Sequence, residues 1–191
     1  MTRERLVYAH HDGIEYVFAA ARKLASSHFG GPMECDIVGV PYGPTPLHLI
    51  GQLGGRHIPG LSGPHLFGLP LIYGMAYDSC QMTYRMRVAE PVEVLAMQPA
   101  GSSENYPYRH FPPLLPYVPL ALAQTRPCPY SAFAQRFPNL PERPSGDLLV
   151  AVPPPATIGL SLWGSGDWEQ VTIVFDCNTE QQTIDAYNVC T

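Results

Sequence analysis

The sequence predicts a single α+β domain spanning residues 1–191, mostly antiparallel sheet with one main N-terminal helix and a proline-rich strap. Three observations predict it: a capped apolar stripe near the start, short alternating or β-branched segments after it, and a proline-dense stretch at 107–144. The length of 191 residues suits one domain, since domains commonly run ~100–200 residues. Hydrophobic residues make up 46%, enough for a core and too many for a disordered chain.

The helix is expected over residues 13–29. Asp12 and Glu15 have the spacing of a capping box, an acceptor at the N-cap and a carboxylate three residues on. Ile14, Val17, Phe18, Ala21 and Leu24 follow at helical offsets, and Gly30-Gly31-Pro32 stops the run. Strands are expected at Ile37–Val40, Leu47–Leu53, Leu69–Tyr73 and Val92–Met97. Met82–Val88 alternates strictly, as a half-buried antiparallel strand does. Residues 107–144 hold ten prolines in 38 positions, which predicts a covering strap without regular sheet, with a short helix at Ser131–Phe137. The end of the chain reads as β-rich: Leu148–Val152, Ile158–Leu162, Val171–Phe175 and Thr183–Val189. Gly164–Asp167 would close a hairpin that sets Trp163 opposite Trp168. In the last hairpin, Asp176 is expected across from Thr183, with Cys177 in the turn.

Charge excludes some functions. The net charge is −5, with one lysine and ten scattered arginines, so nucleic acid is not expected as a partner. Residues 1–143 balance 11 basic against 10 acidic side chains, whereas 144–191 carry six acidic residues and no Lys or Arg. That quarter would attract a basic partner or form a solvated acidic face. The five cysteines are odd in number and lack a Cys-x-x-Cys pair, which argues for buried thiols and against a disulfide scaffold or zinc knuckle. The start of the chain has no apolar run like that of a signal peptide, and the uncharged run 57–77 is broken by glycines and prolines. A cytoplasmic protein without a membrane span is expected.

Candidate chemistry is sparse. His48, His57 and His65 could in principle hold a zinc, with Asp78 and Cys80 downstream, yet spacings of nine and eight match no helical or hairpin pairing. His10-His11-Asp12 reads as surface histidines beside a cap. The Gly-x-Ser-x-Gly elbow is absent, and Gly60–Pro64 misses it by one position. Cys80 with His57 or His65 could form a thiolate pair. Glycine-rich Gly51–Arg56 has neither the Walker lysine nor the dinucleotide spacing. No cofactor is expected.

Pro46–Leu53, Leu69–Gly74 and the turn Trp163–Asp167 ahead of Val171–Phe175 together resemble segments of the YwqG-like bacterial proteins. The match covers about a fifth of the chain and departs at Gly54-Gly55, where that family carries an acidic residue. The resemblance implies a sheet-dominated α+β fold and a place among bacterial toxin-immunity loci, hence a non-catalytic protein that binds and blocks a toxin.

Three functions stay open at this point. The first is a non-catalytic binding protein of the immunity or inhibitor kind, with a partner site at Trp163, Asp167, Trp168, Glu169, Asp176 and Asp147. A nuclease toxin fits that charge pattern, because a groove that holds phosphates must be basic. The second is a small metal-dependent or thiol hydrolase using His48/His57/His65 or Cys80. The third is a structural or assembly subunit with the low-charge segment 37–77 as its interface.

Overall fold

The computed structural model describes residues 3–23, 25–39, 47–58, 68–75, 79–87, 90–100, 114–155 and 171–190. Among the described residues, twelve strands and one short helix form in chain order: β1 (Arg5–His11), β2 (Ile14–Ala20), β3 (Ser27–Phe29), β4 (Ile37–Gly39), β5 (His48–Leu53), β6 (Leu69–Tyr73), β7 (Ser79–Arg85), β8 (Val92–Ala100), β9 (Val118–Pro127), α1 (Tyr130–Ala134), β10 (Leu148–Val152), β11 (Val171–Asn178) and β12 (Thr183–Cys190). All strands join one sheet in the order β4-β8-β7-β12-β11-β10-β1-β2-β9-β3-β5-β6. Among these described strands the β4–β8 pairing is parallel and the others are antiparallel. The α+β expectation is therefore corrected: the fold is nearly all sheet.

The predicted N-terminal helix at 13–29 is β2 and β3 instead. Asp12 and Gly13 have φ of 47° and 70°, so the presumed cap is the two-residue turn of a hairpin, with positive φ at both central positions. Glu15 through Ala19 are all buried, because β2 is covered on both faces. Burial on both faces removes the alternation that marks a strand, and a helical period can then be found by chance.

The proline-rich stretch also forms sheet, contrary to expectation. β9 lies inside the sheet between β2 and β3, since its prolines stand at its edges, Pro119 and Pro127, and 120–126 has none. The last hairpin pairs Asp176 with Asp185, two residues from the expected register, and Cys177 is paired with Ile184 within the strands. The turn there is tighter than expected, leaving only residues 179–182 between β11 and β12. The expected strand at Ile158–Leu162 and the Trp163/Trp168 hairpin lie outside the described residues.

Packing has an inside and an outside. The main core lies on one sheet face, with Val7, Ala9, Phe18, Val150, Phe175, Tyr84 and Ile72 among its buried side chains. A second, smaller cluster lies on the other face, where Phe133 and Phe137 from the α1 region pack on Leu149, Ala151, Val174 and Val189. The sheet curls until β6 meets β7 and β12. The Tyr84 hydroxyl accepts the Ile72 amide at 3.1 Å and donates to the Pro70 carbonyl at 2.8 Å. The Tyr73 hydroxyl accepts the Cys80 amide and donates to Asn188 Oδ1. Among the described residues, no helix is long and apolar enough to cross a membrane.

Candidate functional site

Registers across the sheet bring distant residues into one row. Arg126 pairs with Glu15, Glu15 with His10, His10 with Leu149, Leu149 with Asp176, Asp176 with Asp185, and Asp185 with Thr83. Side chains at directly opposed positions share a face, so this row runs over the face that bears the smaller cluster. It lies near the end of the sheet where the turns at Asp12-Gly13, 145–147 and 179–182 gather.

Two of the expected site residues meet here. The turn before β10 is held on β11 by Asp176, whose carboxylate accepts the Ser145 and Gly146 amides at 2.7 Å each and the Ser145 hydroxyl at 2.8 Å. Asp176 is 4% exposed, so its carboxylate serves this turn and offers almost no surface for contact. Asp147 is exposed and accepts the Thr179 amide at 2.7 Å and the Thr179 hydroxyl at 2.5 Å. Burial pushes its carboxyl upward, but the Thr179 bonds more than offset this and hold it below the ordinary value. Trp163, Asp167, Trp168 and Glu169 lie outside the described residues.

The row's other end is an ion cluster that sequence reasoning missed. Glu15 is completely buried and receives Arg126 Nε at 2.5 Å and the Arg136 guanidinium. Arg136 also lies over Tyr8, Phe133 and Phe137, with ring centroids 5.4–5.6 Å away. His10 Nε2 donates to the Cys128 carbonyl at 2.8 Å. These contacts fasten α1 to the sheet. No sequence signal could have found them, because 111 and 121 residues separate the arginines from Glu15.

The hydrolase residues are placed apart. His48 opens β5 and is buried, while His57 follows its other end and packs edge-on to Phe18; His65 lies outside the described residues. Among the described residues no three His, Cys, Asp or Glu side chains gather as a metal site would require. Burial pushes the Cys80 thiol up to about 11, opposite to what a nucleophile needs.

Charge separates along the strands. Arg3, Arg5, Arg22 and Lys23, all exposed, stand where β1 begins and β2 ends. Asp12, Asp147 and Glu180, also exposed, stand on turns at the opposite end, with Asp185 and Asp176 behind them. Of the arginines at that end, Arg85 faces Glu93, Arg87 faces Glu90, and Arg126 and Arg136 share Glu15, while Arg143 is exposed beside the turn at 145–147. No family model, curated protein or solved structure matches this chain.

Proposed function

We propose that this chain is a non-catalytic binding protein of the immunity or inhibitor kind, whose acidic end engages a partner with a basic surface, such as a nuclease toxin. One observation carries the reading: the turns at one end of the sheet bear Asp12, Asp147 and Glu180, while the arginines beside them largely face carboxylates already. Uncompensated charge of one sign steers an oppositely charged partner and speeds its encounter. The raised thiol of Cys80 supports the same reading over a thiol hydrolase. We place the protein in the cytoplasm, where the described cysteines, all unpaired thiols, would stay reduced.

The test uses the partner recovered by cross-linking the tagged chain in its own cells, then purified. Asp12→Asn with Glu180→Gln is expected to slow association several-fold at low salt, with the loss shrinking as salt rises. Asp167→Asn and Glu169→Gln extend the test to the tryptophan segment, and Trp168→Ala should speed dissociation if that ring is an anchor. Association that is indifferent to both salt and the first two substitutions would reject the reading.

A further inference from the structure

The two edges of the sheet are finished differently. At β6 the backbone amide of Ile72 and carbonyl of Pro70 are taken by the Tyr84 hydroxyl, so that edge is sealed from within. At the other edge stands β4, paired to β8 on one side only, with no strand beyond it among the described residues. Such an edge presents backbone donors and acceptors in the pattern of a missing strand. From residue 33 to 38 burial alternates: Met33, Cys35 and Ile37 pack toward the main core, and Glu34, Asp36 and Val38 are exposed. Val38 is 48% exposed, one of three large apolar side chains so open among the described residues.

We infer that β4 accepts an extended basic segment of the partner as an added strand, with Lys or Arg at alternate positions beside Glu34 and Asp36 and an apolar residue beside Val38. This rests on the binding reading above and names the mode of contact. Main-chain pairing supplies the attachment in such complexes, and alternate side chains select the sequence. Glu34 and Asp36 decide the occupant. A second copy of this chain would set four carboxylates, Glu34 and Asp36 from each, along one short seam, where like charges repel. A strand with two cations spaced by one residue instead meets both carboxylates on the same face. Glu93, on the same outer face of β8 beside Val38, is already engaged by Arg85 at 3.3 Å.

The probe is an acetylated, amidated peptide of sequence Lys-Thr-Lys-Thr-Val-Thr-Thr, with two controls of the same composition. One control carries N-methyl groups on alternate residues; the other has its lysines adjacent. On binding the first peptide, the backbone amides of Ile37 and Gly39, which alternate with the β8-facing groups of Asp36 and Val38, should gain hydrogen-exchange protection, and both controls should bind at least ten-fold more weakly. The double variant Glu34→Lys, Asp36→Lys should lose the peptide by a similar factor while keeping its circular dichroism. Equal binding of the N-methylated peptide, protection confined to another region, or a concentration-dependent dimer that the double variant dissolves would each overturn the inference. If the peptide fails while the purified partner still associates in a salt-dependent way, strand addition falls and the binding reading stands. If partner association is indifferent to salt and to the acidic-end substitutions, the reading falls whatever the peptide does.

Discussion

Asp176 fixes the turn before β10 on β11, and Asp147 ties that turn to the next one at Thr179; both accept backbone amide hydrogen bonds together with one from a hydroxyl. Amide donors favour the ionised carboxylate, so Asp147 lies below its ordinary range, and folding holds it charged more firmly than the unfolded chain does. Its contribution is present above the unfolded value of about 4 and is lost as pH falls through the folded one. Asp147→Asn should therefore lower the denaturation midpoint at pH 7, with the gap to the parent chain closing as pH falls through the lowered folded-state value; urea titrations from neutral to acid pH check it. A gap of constant size down to pH 2 would mean that shape, not charge, holds the turn. The acidic bias of residues 144–191 was legible, because composition needs no fold to be counted. The service of Asp147 and Asp176 to turns was not, since their partners Thr179 and Ser145 are about 30 residues away and reach them only through strand register.

Hairpins and turns explain which elements were legible. β5, β6 and β10 were readable from compact apolar runs bounded by turn residues, and the structure keeps their limits to within a residue. β1 and β2 were not, since cover on both faces hides the two-residue period, and Asp12-Gly13 serves either as a helix cap or as a hairpin turn. Its φ values decide between these, and they also make a prediction. Gly13→Ala has open space around the new methyl group and carries only left-handed strain, about 1 kcal/mol. A melting temperature lower by a few degrees is expected for a chain of this size. Gly30→Ala adds a collision to the same strain, because its Cβ would come within 2.3 Å of the Pro116 carbonyl oxygen and 2.9 Å of Leu115 Cβ. Neither neighbour is the tip of a flexible chain, so this variant should lose far more stability or fail to accumulate. Calorimetry on both variants checks the order; equal losses would show that segment 114–117 yields without cost. That segment belongs to the stretch whose ten prolines hid β9, where the pattern of the middle residues was outweighed by the prolines at either end.

At the scale of the molecule, a sheet of twelve strands must either leave two open edges or curl. This one curls, and tyrosines on two strands hold the seam. Tyr84 is fully buried, and burial pushes its phenol well up, so it stays a neutral donor over the physiological range. Its hydroxyl stands in for a neighbouring strand by serving one amide and one carbonyl of β6. Tyr84→Phe keeps the ring and removes only that service, leaving two backbone groups of a buried strand without their partner at about 1–3 kcal/mol each. The loss should be local before it is global. β6, and β5 paired with it, are expected to exchange their amide hydrogens faster in Tyr84→Phe than in the parent chain. The β1–β10–β11 centre, covered on both faces, should change only by the overall drop in stability. Residue-resolved hydrogen exchange distinguishes these outcomes. Uniform acceleration through all strands would mean that the seam and the centre open together, and that the curled sheet is one cooperative unit without a weaker edge.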